Sequence, residues 1–309
     1  MPGLAPLPTD EATTDGPHQA ITPQMSTLSP LRNGRGDPTT VLGQGELWRA
    51  TLTPDGPATV RIDWRTGRTS VRAWGPGADW LAGRVDHMIG VADEGHRFVD
   101  AHPAIMRAQR NHPDVRIGAS GTLYHELLPT ILAQRISSRE AMAQWRRLCL
   151  QLGDAAPGPM AGLRLPPHPD RLAATPSWWF HPHGVERGRA DTLRTVARHA
   201  AHLWDWARLP AGECAQKLVL LSGVGEWTIG MVLASALGEP DAIAVGDYHL
   251  KNIVAYALTG EPRGTDDRLV ELLQPYRGQR GRVVRLLMLD GHRAPKFGPR
   301  QRILPMHRW

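Results

Sequence analysis

The stretch KLVLLSGVGEWTIGMVLASALGEPDAIAVGDYHLKN, from Lys217 to Asn252, decides the fold. Its apolar spacing predicts that one helix closes at Leu221 and that a second helix covers Glu226–Leu237. Gly223 and Gly225 lie between the two helices. Glycines at this spacing allow a tight turn whose N–H groups point outward beside a helix N-terminus, and this geometry suits a phosphate group.

A single carboxylate stands out downstream of the second predicted helix. Asp247 follows a loop marked by glycine and proline and the short apolar run Ala242–Val245, and Tyr248–Lys251 fits the first turn of another helix. Asp247 therefore suits two compatible roles, as a catalytic carboxylate and as the N-cap of that helix.

Two segments, LSGVGEWT (Leu221–Thr228) and VGDYHLKN (Val245–Asn252), together resemble the helix–hairpin–helix plus Gly/Pro-Asp superfamily of DNA glycosylases. The resemblance is closest to the 3-methyladenine DNA glycosylase II branch and extends over roughly Glu46–Pro299. A Walker-type loop is excluded because no Gly-Lys-Ser/Thr follows the glycines, and a dinucleotide-binding loop is excluded because no strand precedes them.

The expected fold class is α+β: a mostly α-helical glycosylase bundle, preceded by a small antiparallel β-sheet and helix domain and a disordered N-terminal tail. Alternation between turn signals predicts the sheet within Glu46–Trp74. We expect Val60, Ile62 and Trp64 to pack on a helix over Ala78–Val91. The predicted boundaries are a tail at 1–38, too poor in apolar residues to fold, the small domain at 39–93, the helical region at 94–299 and a C-terminal tail at 300–309.

Amphipathic patterns predict several helices in the second half of the chain. They cover Leu123–Gln134, Ser137–Leu152 and Gly184–Trp204. Pro129 lies inside the first of these, so a kink or break is expected there. The stretch Asp266–Leu289 ends the bundle, and Gly278 and Gly281 predict that a helix within it begins near Arg282.

The resemblance implies how the chemistry is done. It assigns the essential carboxylate to Asp247, near the sugar C1′ of a flipped nucleotide. Trp227 stands where strand-cutting members of the superfamily carry a nucleophilic lysine, and Lys251 does not match that position. The resemblance therefore implies a monofunctional enzyme that leaves an abasic site.

Aromatic residues form the expected base pocket. Trp227 and Tyr248 match aromatic positions of the resembled branch, and their faces suit a positively charged alkylated purine. Met231 stands where the branch often has a further aromatic, which leaves the selectivity of the pocket open. Trp178 and Trp179 either wall the pocket or close the bundle, and Trp227 itself has a core role as its alternative.

Two further groups are expected to contact DNA. The expected contacts with the DNA backbone are Gly223, Val224, Gly225 and Thr228. Gln134 and Arg135 match the region that fills the gap left by the flipped base, with a surface polar pair as the alternative. Arg282 and Arg285 either line a DNA-facing edge or lie on a solvated face.

The composition indicates a basic protein, which supports the nucleic-acid partner that the resemblance implies and is also typical of an arginine-rich solvated surface. The chain has 309 residues and a net charge of +6, and Lys217, Lys251 and Lys296 are its only lysines. Arginine favours phosphate because its planar fork donates two hydrogen bonds at once. We expect a bacterial, cytoplasmic, nucleoid-associated monomer that binds double-stranded DNA containing damaged bases and does not bind membranes.

No cofactor is expected. Cys149 and Cys214 are the only cysteines, so the four-cysteine iron–sulfur cluster of some superfamily members is excluded. His181 and His183 lack a third partner at helical spacing, so we expect no metal there. The resemblance does allow a monovalent cation at the hairpin.

The function that follows is excision of alkylated purines, of the 3-methyladenine and 7-methylguanine class, from duplex DNA. The same scaffold acting on deaminated or oxidised bases is one alternative, because of Met231 and Arg135. A damage-binding protein without turnover is another, although Asp247 argues against it.

Overall fold

A computed structural model of the chain describes residues 11–14 and 22–295. The strands of this described part are β1 (Glu11–Thr14), β2 (Thr40–Gly43), β3 (Glu46–Thr53), β4 (Gly56–Asp63) and β5 (Ser70–Trp74). They form one antiparallel sheet in the order β1-β5-β4-β3-β2. The small antiparallel sheet is therefore confirmed.

Residues 22–38 are folded, and this corrects the predicted tail boundary at residue 38. Helix α1 (Met25–Leu28) carries Leu28 into the core of the small domain. Asp37 is also buried and accepts a hydrogen bond from the indole N–H of Trp145 at 2.9 Å. A few apolar residues among many polar ones leave little trace in the composition, so the prediction missed this segment.

Both predicted tails extend beyond the described residues. Residues 1–10 and 15–21 of the N-terminal tail lie outside them, as do residues 296–309, which include the predicted C-terminal tail. Within the predicted N-terminal tail, however, β1 pairs along β5 as an edge strand of the sheet.

The sheet packs on two short helices, α2 (Ala78–Ala82) and α3 (Val85–Met88), where the sequence predicted one helix. Gly83 lies at the break, and glycine has a low helix propensity. Val60 and Ile62 are fully buried against these helices, as predicted.

Helices make up most of the rest of the described chain. They are α4 (Pro103–Asn111), α5 (Leu123–Leu132), α6 (Ser138–Leu152), α7 (Pro169–Ala174), α8 (Ser177–Phe180), α9 (Arg187–Arg198), α10 (Ala200–Trp206), α11 (Ala211–Leu218), α12 (Glu226–Val232), α13 (Leu250–Thr259), α14 (Asp266–Leu273) and α15 (Arg280–Leu289). Helix α12 continues as a π-helical segment, Leu233–Leu237, so the predicted span is confirmed. The predicted helix at 184–204 is split in two, and α15 begins at Arg280, close to the predicted start near Arg282. Across residues 22–295, every helix is too short or too polar to span a membrane.

Helices α5 and α12 run antiparallel, and their two ends define the layout of the molecule. At one end the side chain of Gln134, just after α5, donates to the carbonyl of Gly223, just before α12, at 2.9 Å. At the other end the amide of Ser120, before α5, donates to the carbonyl of Ser235, after α12, at 2.9 Å. We call these the hairpin end (Gln134 and Gly223) and the sheet end (Ser120 and Ser235).

The sheet end contains buried charges that join the sheet to the helices. Nη2 of Arg49 in β3 lies 2.5 Å from Oε1 of Glu126 in α5, and both side chains are almost fully buried. Burial raises the pKa of the Glu126 carboxyl. The neighbouring His125 ring lies 3.0 Å from the Thr51 hydroxyl, and burial lowers the pKa of this histidine well below its ordinary value. The predicted α+β fold is thus confirmed, with its two parts joined through a polar seam.

Candidate active site

The turn between α11 and α12 has a conformation that requires glycine. Gly223 has a φ of +87°, and a Cβ atom at this position would lie 1.9 Å from Oγ1 of Thr192 in α9. Only a residue without a side chain avoids both the left-handed strain and this overlap. Gly225, in contrast, is extended, with a φ of −101°, and faces open space.

The hairpin turn leaves backbone donors open. Across the described residues, the amides of Gly223 and Gly225 donate to no protein acceptor. Both glycines are exposed beside the start of α12, whereas the side chain of Val224 is buried and its amide donates to the Leu221 carbonyl at 2.9 Å. Unpaired amides next to a helix N-terminus form a site suited to an anion.

Two predicted DNA contacts are bound to each other instead. The hydroxyl of Thr228 is buried and accepts a hydrogen bond from Nε2 of Gln134 at 2.9 Å. The same Nε2 atom donates to the Gly223 carbonyl. The prediction of a DNA contact is therefore wrong for the Thr228 hydroxyl. The amide nitrogen of Gln134 stabilises the hairpin turn through these two hydrogen bonds.

Asp247 lies beside Trp227, as the sequence predicted. Its Oδ2 atom accepts a hydrogen bond from the Trp227 indole N–H at 3.3 Å. Gly230 makes this contact possible, because a Cβ atom there would lie 2.1 Å from the carbonyl oxygen of Ile243 in the loop that leads to Asp247. Helix α12 and the loop therefore touch through bare backbone, and this brings the indole and the carboxylate together.

Asp247 also caps helix α13. Its Oδ1 atom accepts hydrogen bonds from the amides of His249 and Leu250, at 2.8 and 2.9 Å. The two roles foreseen for this carboxylate are compatible, since one oxygen holds the helix start and the other faces the indole. The cap also restricts the rotamer of the side chain.

Comparisons with known proteins establish the fold that carries this site. Neither a protein-family model nor a curated protein sequence matches the chain. Among solved structures, it is similar to a 3-methyladenine DNA-glycosylase from Archaeoglobus fulgidus, with a TM-score of 0.71 and 17% identity over 86% of this chain and 94% of that chain. The chain has the helix–hairpin–helix DNA glycosylase fold.

A second group of glycosylase structures shares the fold. A Clostridium acetobutylicum 8-oxoguanine glycosylase/lyase, in complex with double-stranded DNA containing cytosine opposite 8-oxoG, matches with a TM-score of 0.59 and 14% identity. The match covers 80% of this chain and 84% of that chain. At these identities the similarity establishes the glycosylase fold and does not establish which reaction the site performs.

Within this glycosylase fold, the predicted pocket residues differ in placement. Trp227 is half-buried, and Met231, one turn further along α12, is 42% exposed. Tyr248 is 74% exposed beside Asp247. Trp178 is exposed on α8, whereas the Trp179 ring lies 4.3 Å from the His183 ring and is tilted 42° relative to it.

Trp178 and Trp179 are not joined to the site. In the described part of the chain, neither ring has a stacking contact or hydrogen bond with Trp227 or Asp247. Trp179 packs against the main helical core, which favours the alternative that it closes the bundle.

Arg135 occupies an unusual backbone conformation at the hairpin end. It is exposed and has a φ of +59°. L-residues with a side chain rarely adopt this region, which costs about 1–2 kcal/mol. Such an outlier at the surface next to Gln134 motivates a functional role for Arg135.

The arginines predicted at a DNA-facing edge serve the fold instead. Arg282 is 2% exposed, and its Nη2 atom lies 2.5 Å from Oδ1 of Asp93. Arg285 is largely buried, and burial lowers the pKa of its guanidinium. No local pattern indicates the burial of Arg282, because the carboxylate of Asp93 is 189 residues away.

Sequence reasoning also missed a carboxylate next to Asp247. Oδ1 of Asp266, the first residue of α14, accepts a hydrogen bond from the Gly246 amide at 3.0 Å. Its Oδ2 atom lies 2.9 Å from Nζ of Lys251, and this contact holds the pKa of the Asp266 carboxyl below its ordinary value. A helix start at residue 266 was visible in the sequence, but nothing there indicated this contact.

The remaining polar clusters do not form a metal centre. Among residues 22–295, no group of three or more His, Cys, Asp or Glu side chains is arranged to hold a metal ion. Cys149 and Cys214 are free and buried. The absence of a cofactor remains a prediction, as does a monovalent cation at the hairpin carbonyls.

Proposed function

We propose that the chain is a monofunctional DNA glycosylase of base excision repair, which hydrolyses the N-glycosidic bond of alkylated purines in duplex DNA after flipping the nucleotide. The observation that carries this proposal is the hydrogen bond of 3.3 Å between the Trp227 indole and the Asp247 carboxylate. A nucleotide whose phosphate is held by the hairpin amides then meets a negative charge and an aromatic face together.

Asp247 supplies the charge that the reaction needs. As the base leaves, the sugar becomes oxocarbenium-like, and a nearby carboxylate stabilises that cation. Two amides hold Oδ1 and one indole N–H contacts Oδ2, so the side chain is oriented before substrate arrives. A carboxylate oxygen with a single donor keeps a lone pair for orienting or deprotonating the attacking water.

Hydrolysis without strand cleavage follows from the amines near the site. A lyase forms a Schiff base through a free lysine, and residue 227 is tryptophan. Lys251 lies four residues after Asp247, but its ammonium is bound to Asp266. Neither position offers an unpaired amine to C1′.

An alkylated purine fits the side chains beside Asp247. Alkylation places a positive charge on the base, and the faces of Trp227 and Tyr248 attract cations by roughly 0.5–2 kcal/mol. Such a base is already a good leaving group, so a carboxylate suffices for catalysis. The similar structure from Archaeoglobus fulgidus is named as a 3-methyladenine glycosylase, which supports this class.

An oxidised or deaminated base is the second candidate substrate. Met231 is 42% exposed one helical turn after Trp227, and a flexible thioether adapts to bases of different shape. The Clostridium acetobutylicum structure, named as an 8-oxoguanine glycosylase/lyase, shows that this fold also accommodates the recognition of an oxidised purine.

Base release from a panel of duplexes tests the proposal. We expect the wild type to release methylated purines, and Asp247→Asn to lose at least about 100-fold in rate while it still binds abasic duplex. Asp267→Asn, an exposed carboxylate of the same region, is the matched control and should retain activity. Borohydride should trap no covalent complex.

Each other outcome has a clear meaning. Release of oxidised or deaminated bases alone would support the second candidate substrate. Damage binding without release of any base would identify a binding protein. Full activity of Asp247→Asn would remove the catalytic role of this carboxylate.

A further inference from the structure

The backbone on both sides of Asp247 is held by residues that have no role in the proposed chemistry. On the N-terminal side, Oδ1 of Asp266 accepts the Gly246 amide at 3.0 Å. On the C-terminal side, the side chain of Asn252 donates to the Tyr248 carbonyl at 3.1 Å. The Val245–Gly246 and Tyr248–His249 peptide units, each one residue away from Asp247, are therefore both tied to side chains outside the loop.

These two anchors belong to one unit. Oδ1 of Asn252 accepts the amide of Gly264 at 2.9 Å, and Gly264 lies two residues before Asp266. A Cβ atom at Gly264 would lie 2.6 Å from the carbonyl oxygen of Lys251, so this segment packs directly on the first turn of α13. The start of α14 is thus fixed against the turn that Asp247 caps.

Lys251 orients the Asp266 carboxylate. Its Nζ atom lies 2.9 Å from Oδ2, the oxygen that the Gly246 amide does not use. Both side chains are partly exposed, 25% for Lys251 and 36% for Asp266. A pair this exposed adds little to global stability. Its geometric effect is local, because the oriented carboxylate holds the Val245–Gly246 peptide, one residue before Asp247.

We propose that Asp266, oriented by Lys251 and assisted by Asn252, is a positioning residue that sets the Asp247 carboxylate for base excision. The proposal rests on the proposed function, since it concerns the same carboxylate. Gly246 has a φ of +90°, so the chain turns sharply just before Asp247. Without the Asp266 carboxylate, the Val245–Gly246 peptide can rotate. This rotation moves the Asp247 carboxylate relative to the sugar.

The proposal also explains why Lys251 is no nucleophile. Its ammonium is occupied by the carboxylate that holds the loop. Loss of Lys251 is therefore expected to act through Asp266, and loss of both residues to cost no more than loss of Asp266 alone.

Single-turnover base excision and local amide exchange, measured on the full chain, test this inference. We expect Asp266→Ala to slow excision by about 10- to 100-fold, the effect of a small misplacement of a catalytic group, while affinity for abasic duplex is unchanged or tighter. Asp266→Asn retains an oxygen for the Gly246 amide and should recover most of the rate. Glu261→Ala removes another exposed ion pair, that with Arg268, and should leave the rate unchanged.

Hydrogen exchange at Gly246 separates this proposal from the function itself. Asp266→Ala should speed exchange of that amide by about tenfold or more, whereas Glu261→Ala should not. If Gly246 exchange is unaffected, or if excision by Asp266→Ala equals that of the wild type, the positioning role is refuted while the proposed function stands. If the wild type releases no base but exchange responds as expected, the anchor is supported and the proposed function fails.

Discussion

The two ends of the α5–α12 pair satisfy their polar groups in opposite ways. At the sheet end, the buried Arg49 guanidinium is paired inside the protein with the carboxylate of Glu126. At the hairpin end, the amides of Gly223 and Gly225 have no acceptor within the described residues, and Arg135 stays in a strained backbone conformation. One end pairs its buried charges inside the protein, with only Nε of Arg49 left without a hydrogen-bond partner among the described residues of that ion pair, and the other leaves donors and strain at the surface.

This contrast indicates which contacts serve the fold and which serve binding. Buried polar groups are strongly disfavoured unless they are paired, so the sheet end should respond to mutation with lost stability. Exposed donors contribute little to folding, so changes at the hairpin end should alter DNA binding or excision more than they alter the free energy of unfolding. The larger effects on stability are therefore expected at the sheet end.

Removing one partner of the buried ion pair should give the largest loss. Arg49→Met leaves the Glu126 carboxylate buried without its cation, and we expect the free energy of unfolding to fall by about 3–5 kcal/mol. Urea denaturation measures this change. Arg268→Met breaks exposed pairs with Glu261 and Glu271 and should leave the free energy of unfolding nearly unchanged.

The double variant Arg49→Met, Glu126→Leu checks the cause. If an unpaired buried charge is responsible, replacing both partners by apolar residues should recover much of the stability. A loss below about 1 kcal/mol in Arg49→Met would instead mean that water reaches the seam.

Adding one methyl group to each hairpin glycine should give unequal, smaller effects. Gly223→Ala combines a φ of +87° with an overlap with Thr192, and we expect a loss of about 2 kcal/mol together with weaker DNA binding. Gly225→Ala enters open space in an extended conformation, and it should cost only about 0.5–1 kcal/mol, because glycine is preferred to alanine at the N-cap of a helix. Thermal unfolding and affinity for abasic duplex measure both effects.

A second substitution distinguishes overlap from backbone strain. Thr192→Ala in the Gly223→Ala background removes the overlap and leaves the strain, so it should recover part of the lost stability. Equal stability of the two glycine variants would contradict the requirement for glycine at position 223.

The local parts of the site were predictable from the sequence, and the long-range parts were not. The hairpin turn depends on Gly223 and Gly225, whose spacing is visible within a few residues. The proximity of Trp227 to Asp247 followed from a resemblance that spans both. In contrast, Gln134 reaches a carbonyl 89 residues away, and no periodicity encodes such a contact.

The errors have the same origin. Alternation placed Arg49 on the face of β3 that also carries Leu47, but it could not show that Glu126 pairs with it. Arg282 was predicted at a surface because arginine is usually exposed. Its burial depends on Asp93, which a distant part of the chain supplies. Tertiary pairing, which local pattern cannot reveal, decides where such charges lie.

The last expected change in stability is a gain, and it would show whether strain at the hairpin end is functional. Arg135 has a φ of +59°, so Arg135→Gly should raise the free energy of unfolding by about 0.5–1 kcal/mol, because glycine adopts this region without steric cost. If Arg135 fills the gap left by a flipped base, the same variant should slow excision about tenfold, since unstacking a base costs a few kcal/mol.

Asp100→Gly is the matched control, because Asp100 has a φ of +54° and lies outside the hairpin end. It should also gain stability, although less, since aspartate tolerates this region better, and its excision rate should not change. A stabilised Arg135→Gly enzyme with full activity would show that the strained backbone only ends helix α5 and has no role in excision. A stabilised but slower enzyme would show that Arg135 contributes to excision at the expense of folding stability.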